Sequence, residues 1–445
     1  SASPRRRCLR AREQHELDDA MKRHGDPPSQ QDTNGGAEQR GRLGGGGRYA
    51  SALPCVRMRS PVPAFVPPPH PHASTVEAPK VLVAMSGGVD SSVAASLLHE
   101  RGFEVVGTML RFWPDDRDAG AFDTCCSPQA SYDARRIADQ IDVPFYLLDA
   151  RDAFEEIVIE PFIPAYEAGE TPNPCVWCNR EIKFGRLVQR AQALGASFLA
   201  TGHFVRRVDG PDGPELHRGL DDDKDQTYFL WALPRRVLPY LLFPLGEMRK
   251  DEVRALAAER GYATAYKKSS SGLCFVADTV QAHVRAHSEP RPGPVVDVSR
   301  ERRVVGQHDG VQFYTIGQKR GLGLFKSHEP RFVLDLEPET NTVVVGPRSM
   351  CAWSRLQADR VNLHVDAKRL PKRLEAQVRY RQRPVPAYVE LKDGVLDVSF
   401  DEPQFAVTVG QSVVLYDGDR LLGGGVIRSR SGQRMGESAG PERAA

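Results

Sequence analysis

Between Lys80 and Leu148 the apolar positions switch between two periods. Val81, Leu82, Val83 and Ala84 form an unbroken run of strand length, closed by Ser86-Gly87-Gly88. From Ser91 onward Val93, Ala94, Leu97 and Leu98 recur at the spacing of one helix face, and Gly102 can end that helix. Phe103 to Leu110 reads as a second strand, Ala130, Ala134, Ile137, Ala138 and Ile141 as a second helix, and Phe145 to Leu148 as a third strand. Strand–helix–strand–helix–strand predicts an α/β fold with a parallel sheet and right-handed crossovers. A later short strand, Phe198 to Ala200, runs into Thr201-Gly202-His203, and a helix is expected over Glu181 to Leu194. Beyond about Pro290 the segments become short and β-branched, with turn residues at Asp393-Gly394, Asp417-Gly418 and Gly423-Gly424-Gly425. That pattern predicts antiparallel structure: a small β-rich central domain, then a compact β-barrel. No repeat of solenoid period is visible.

Composition changes the picture at the ends. Residues 1–79 hold 12 Lys+Arg against 8 Asp+Glu, a glycine run at Gly44–Gly47 and a proline-rich piece from Pro61 to Pro71. Such a segment buries too little apolar surface to offset its ordering entropy. The expected division is therefore a disordered extension (1–79), a catalytic domain (80–285), a central domain (286–352), a C-terminal barrel (353–430) and a disordered tail (431–445). The arginines of the extension could suit an organelle transit peptide, with mitochondrial or plastid import as the alternative to a cytoplasmic location. Glu16, Asp18 and Asp19 weaken that reading, and a start at Met58 competes with it. The whole chain has 445 residues and a net charge of +2, which excludes a polybasic coat for nucleic acid and requires any such site to be a local patch. No apolar run is long enough to span a membrane. Eight cysteines are too sparse for a disulfide-stapled secreted scaffold and fit a reducing compartment.

The string Ser86-Gly87-Gly88-Val89-Asp90-Ser91-Ser92 stands where the first strand hands over to the first helix. Two glycines let backbone approach a phosphate, two serines add hydroxyls, and the helix start offers N–H groups to an anion. Asp90 could hold Mg2+ between phosphates. A Gly-rich turn with a Ser/Asp cap is the bland alternative. The lysine of a P-loop and the G-x-G-x-x-G of dinucleotide folds are both absent, which removes two ordinary nucleotide chemistries.

Thr171-Pro-Asn-Pro-Cys-Val-Trp-Cys-Asn179 precedes the helix expected over 181–194, so Cys178 should fall near a helix N-terminus, where the dipole favours a thiolate. Cys274 lies far downstream in Gly272-Leu-Cys-Phe275, a setting equally suited to a buried small hydrophobe. A four-ligand zinc site lacks its second pair, and a thioredoxin-like dithiol is displaced by the glycine loop. A reactive thiol pair, or three thiolates on an iron–sulfur cluster, remains open. Cys125 and Cys126, being adjacent, are left as spare thiols.

These strings occur in one order with Ala200-Thr-Gly-His203, Lys224-Asp-Gln-Thr-Tyr-Phe-Leu230, Phe243-Pro-Leu-Gly246 and Tyr314-Thr-Ile-Gly-Gln-Lys-Arg-Gly-Leu-Gly323. Together, from Lys80 to about Ile427, they resemble the tRNA-specific 2-thiouridylase family. The resemblance implies an adenine-nucleotide alpha-hydrolase-like (Rossmann-like) catalytic domain of ATP-pyrophosphatase type. It implies ATP-dependent adenylation of the C2 carbonyl of the wobble uridine, then sulfur transfer from a cysteine persulfide, giving 2-thiouridine, AMP and pyrophosphate. Carried over by position, Ala84, Met85, Ser86, Gly87, Gly88, Val89, Asp90 and Ser91 would cradle ATP with Mg2+, and Leu110 and Gly202 would line the adenine side. Cys178 would be the nucleophile and Cys274 would carry the persulfide. His203, Lys224, Asp225, Gln226, Arg379, Tyr380 and Gln411 would contact tRNA. The implied partners are the tRNA anticodon loop and a persulfide donor protein. A monomer is expected, and the resemblance carries a disulfide bond as well.

The chemistry is coherent. A carbonyl oxygen leaves poorly and AMP leaves well, while a thiolate or persulfide attacks readily at neutral pH. The base must turn out of its stack to be reached. Arg379, Tyr380, Arg381 and Arg383 suit a single-stranded loop, although alone they read as a solvated hairpin edge. The sequence departs from the family where Cys175 replaces an Asp proposed as acid or base. That third thiolate makes a [4Fe-4S] cluster on Cys175, Cys178 and Cys274 the mechanistic alternative. It departs again at Ser269-Ser270, where Asp-Ser is usual, and at Phe204, where Tyr is usual. Other ATP-pyrophosphatase synthetases, such as an amidotransferase type or a tRNA lysidine synthetase, need neither Cys178 nor Cys274. A noncatalytic tRNA-binding module would need no intact loop.

Overall fold

The computed structural model describes residues 55–57, 78–113, 127–267, 272–324 and 330–432. Cys55–Arg57 is a three-residue strand. Apart from the described residues within them, the extension and tail expected to be disordered lie outside this set, as do Cys8, Cys125, Cys126, Met58, Ser269 and Ser270.

From residue 78 the chain builds β1 (Lys80–Ala84), α1 (Val89–Glu100), β2 (Glu104–Arg111), α2 (Pro128–Gln140) and β3 (Phe145–Asp149), the alternation expected. Pro128 stands in the first turn of α2 and the Ser127 hydroxyl accepts from the Ala130 N–H, so that helix is capped as its sequence dictates. A helical stretch follows: α3 (Arg151–Phe154), α4 (Phe162–Glu167), α5 (Pro174–Trp177) and α6 (Leu187–Ala193), then β4 (Phe198–Thr201). After a hairpin, β5 (Val205–Gly210) and β6 (Gly213–Arg218), come β7 (Leu241–Leu242), α7 (Lys250–Glu259) and α8 (Val280–His287). The parallel strands lie in the order β3-β2-β1-β4-β7. Val81, Val83 and Leu199 are fully buried, as expected of a sheet covered on both faces.

The central domain is a four-stranded sheet of β8 (Gly293–Asp297), β9 (Arg303–His308), β10 (Phe332–Glu337) and β11 (Thr342–Gly346), ordered β9-β8-β11-β10. It is mixed rather than purely antiparallel, because β11 returns beside β8 in the same direction. The barrel contains β12 (Ala352–Leu363), β13 (Arg373–Gln377), β14 (Val385–Lys392), β15 (Val395–Phe405), β16 (Ser412–Asp417) and β17 (Arg420–Ser431). Pairing of β12 with β17 closes it around Leu356, Val389, Val398, Val413, Leu415 and Ile427.

One feature has no counterpart in the hydrophobic pattern. The β5–β6 hairpin leaves the catalytic domain and joins the sheet of the barrel, His217 pairing with Arg420. Ion pairs Arg206–Asp419 (2.6 Å) and Arg420–Glu215 (2.8 Å) tie the two together. Among the described residues, no helix is long and apolar enough to cross a membrane.

Candidate active site

Ala84, Met85 and Ser86 end β1, and Gly88 is the N-cap of α1 with no side chain capping it. The loop holds its own shape. The Ser91 hydroxyl accepts from the Ser86 N–H (3.0 Å) and donates to the Gly88 carbonyl (3.2 Å), which also accepts from the Ser92 hydroxyl (2.9 Å). Gly87 has φ +68°, and a Cβ there would lie 2.1 Å from the Ala130 carbonyl of α2. Leu110 and Gly202 flank the end of β1 from opposite sides, on β2 and just past β4. The closeness of Gly202 is strict, since a Cβ would lie 2.7 Å from the Ser91 nitrogen. An uncapped helix start and a side-chain-free turn at the carboxyl ends of parallel strands fit a nucleotide phosphate.

Asp90 is not idle. Its carboxylate pairs with Lys250, the first residue of α7, which is only 8% exposed. Burial pushes the Lys250 pKa down and the Asp90 charge partly restores it. On the other side, Lys267 donates to the Gly87 carbonyl (3.3 Å) and pairs with Asp133 of α2 (2.5 Å).

The cysteine segment corrects the expectation for its helix. Helical structure starts at Pro174 rather than near Glu181, passes through a π-helical stretch, Cys178–Arg186, and continues as α6. Pro174, with its fixed φ and missing N–H, nucleates the first turn. Cys175 therefore occupies that first turn, while Cys178 is buried beyond it, where the dipole effect has faded. Stretches of π-helix recur at functional sites, and here one opens with the expected nucleophile. Phe184 from this stretch packs on His203 (5.5 Å), next to Gly202 at the nucleotide loop. The Gly202-His203 turn thus touches both the phosphate cradle and the cysteine helix. Cys274 is placed from the other side: Phe275 packs edge-on against Phe162 (4.9 Å) and Phe154 (6.2 Å). Glu156, two residues after Phe154, meets Arg186 of the cysteine helix at 3.9 Å.

Three family models cover this chain: a tRNA methyl transferase HUP domain over residues 79–278, a tRNA methyl transferase PRC-barrel domain over 281–347 and an aminomethyltransferase β-barrel domain over 353–427. The chain is 53% identical over 359 residues to the tRNA-specific 2-thiouridylase MnmA of Deinococcus radiodurans, covering 80% of this chain and 94% of that one. It is 52% identical to the enzyme of the same name from Thermus thermophilus, over 78% and 95% of the two chains. The chain belongs to the tRNA-specific 2-thiouridylase family. The enzyme of the same name from Rhodospirillum centenum is 44% identical over 81% of this chain and 95% of that one.

The remaining positions expected of a 2-thiouridylase are already engaged in holding the molecule together. The His203 Nδ1 is 2.7 Å from the Thr201 hydroxyl, and desolvation, with the Lys183 charge, lowers its pKa to about 3, so the ring is neutral. Lys224 begins the Lys224–Gln226 segment, in which Asp225 is buried, accepting from the Thr227 hydroxyl (2.7 Å) and the Gly219 N–H (3.1 Å). Gln226 accepts from the Phe204 N–H (3.0 Å). In the barrel Arg379 donates to the carbonyls of Ile316 (3.1 Å) and Ala406 (2.9 Å), and Tyr380 packs on Phe229 (4.4 Å). Gln411 donates to the Thr171 carbonyl (2.8 Å), three residues before the cysteine helix starts. Arg379 and Gln411 line a cleft of about 440 Å³ with Thr171, Ile316 and Gln318, where the three domains meet. Exposed Arg381 and Arg383 stand near it in sequence.

Among the described residues no three His, Cys, Asp or Glu side chains gather closely enough to hold a metal ion. As arranged, Cys175, Cys178 and Cys274 do not form a three-thiolate cluster site, and the Asp90 carboxylate faces Lys250. Lys250, Lys267 and Asp133 were not legible beforehand, because no motif marks a lysine that reaches the loop from 160 or more residues away.

Proposed function

We propose that this chain is a tRNA 2-thiouridylase that converts the wobble uridine of tRNA to 2-thiouridine, using ATP and a persulfide sulfur. The uridine C2 oxygen bonds to the α-phosphorus of ATP, the bond to pyrophosphate breaks with its electron pair on pyrophosphate, and the N3 proton passes to solvent. The terminal persulfide sulfur on Cys274 then attacks C2 and AMP leaves. The Cys178 thiolate attacks the Cys274 sulfur, releasing 2-thiouridine and leaving a Cys178–Cys274 disulfide. A thiol reductant resets that disulfide, and a donor protein reloads Cys274. Mg2+ bound with ATP would shield the phosphates, with Asp90 as its protein ligand once Lys250 releases it. The observation that carries this reading is the Gly202-His203 turn, which abuts both the Ser86–Ser92 loop and the helix of Cys178.

The 1–79, 80–285, 286–352, 353–430 and 431–445 division, a monomeric state and a cytoplasmic location complete the proposal, supported by the composition and the sparse cysteines. His203, Lys224, Asp225, Gln226, Arg379, Tyr380 and Gln411 would form the tRNA face, several of them by holding the loops that meet it. The test is thiolation of uridine-bearing tRNA by anaerobically purified protein, with iron content measured alongside. Cys178→Ala and Cys274→Ala should each abolish product, and full activity in either rejects the assignment. Loss in Cys175→Ala with stoichiometric iron would favour the [4Fe-4S] route instead.

A further inference from the structure

The nucleotide loop poses a charge problem that its own residues do not solve. A triphosphate brings about four negative charges, the loop contains no lysine or arginine, and Asp90 adds another negative charge. Two lysines from distant segments approach this loop from either side. Lys250 is buried with its ammonium on the Asp90 carboxylate and 5.6 Å above the Phe204 ring. Its backbone is pinned as well, the Lys250 N–H donating to Asp221 at 2.8 Å. Lys267 reaches the Gly87 carbonyl while paired with Asp133. A lysine chain held at 8% exposure is costly to desolvate, and Asp90 alone, itself a third exposed, is a modest partner for it.

Resting on the ATP-dependent reading above, we propose that Lys250 and Lys267 form a two-sided clamp on the β- and γ-phosphates of ATP, Lys250 exchanging Asp90 for a phosphate oxygen when nucleotide binds. The exchange frees the Asp90 carboxylate as the triphosphate arrives. When the bond between the α-phosphorus and the bridging oxygen breaks, the electron pair moves onto pyrophosphate, and both lysine side chains face that developing charge. Lys267 adds a second consequence. It lies seven residues before Cys274, so an occupied phosphate site holds the chain on the N-terminal side of that cysteine.

The experiment compares triphosphate with monophosphate. Full-length wild type, Lys250→Met, Lys250→Arg and Lys267→Met are titrated with α,β-methylene-ATP and with AMP by calorimetry. The clamp predicts that each Met variant loses roughly 10-fold or more in affinity for the ATP analogue. AMP affinity should stay within about 2-fold, since AMP lacks both clamped phosphates. Lys250→Arg should recover part of the loss. The AMP titration also reports folding, and Lys267, a third exposed, gives a variant that does not empty a buried position. Equal losses for ATP analogue and AMP mean a structural role and overturn the clamp, as does an unchanged ATP-analogue affinity in both Met variants. Wild type that binds neither nucleotide overturns the ATP-dependent reading itself.

Discussion

The nucleotide loop and the barrel joint both depend on polar atoms placed near backbone, but they are built oppositely. In the loop, consecutive residues satisfy one another: Ser86, Gly88, Ser91 and Ser92 close a small hydrogen-bonded unit and leave helix N–H groups open to a ligand. In the joint, single side chains of the barrel cap carbonyls that lie mostly in other domains. Arg379 holds Ile316 and Ala406, Gln411 holds Thr171, and Asn362 holds Trp231 (2.7 Å) and Leu233 (2.9 Å). The first kind of site carries its chemistry locally. The second carries geometry: its side chains tie the barrel to the segment that leads into the cysteine helix and to the domains beside it.

The largest expected separation between the two comes from Gly87→Ala. Its Cβ collides with the α2 backbone at a left-handed φ, so unfolding free energy should fall by about 3–4 kcal/mol. Binding of the ATP analogue should vanish in calorimetry, and a variant that binds normally would break the account of the loop. Next comes pH, which probes a desolvated histidine on each side. The His364 pKa is lowered to about 4 by burial and that of His203 to about 3, against 6.5 unfolded. The unfolded chain then binds more protons below pH 6.5, so stability is fully present above that pH and is lost as pH falls toward 4. Denaturant titrations should show a loss of about 2–3 kcal/mol from His364 over that window, and His364→Gln should flatten the slope. A slope unchanged by that substitution would contradict a desolvated ring.

Arg379→Met should cost about 1–2 kcal/mol by leaving the Ile316 carbonyl uncapped and the Ala406 carbonyl with only the Thr408 hydroxyl. Its mark is dissociation of effects: lower thermal stability and slower thiolation with unaltered affinity for the ATP analogue. Gln411→Leu is the mildest, about 1 kcal/mol in stability. It should raise the KM for tRNA or lower kcat in a thiolation assay without touching nucleotide affinity, and a matching loss of nucleotide affinity would erase the distinction drawn between loop and joint.

The same contrast governs what could be read from the chain. β1, α1, β2, α2 and β3 were legible because each buries a regular face against its neighbours, and Ser86–Ser92 because its hydrogen bonds run between residues close in sequence. The start of the cysteine helix was misplaced since Pro174 at N1 looks identical, in sequence, to a proline that holds a loop extended. The parallel β8–β11 pair was missed because strand direction depends on the path between strands and not on their composition. Lys250 and Lys267 left no trace: a lysine at the start or end of a helical segment is an ordinary surface residue until tertiary structure carries it to Asp90 or Gly87. The positions proposed to meet tRNA came from resemblance, and the engagement of Arg379 and Gln411 with backbone carbonyls became visible only with the fold.

The β5–β6 hairpin has a consequence for how this protein can be taken apart. Because its edge is completed by the barrel, and because Tyr228 and Trp231 hydrogen-bond Ser412 from a buried position, a fragment ending before the barrel would carry an open strand and two unsheltered aromatic rings. Such a fragment should self-associate, so the catalytic domain depends on the barrel for a sheltered edge.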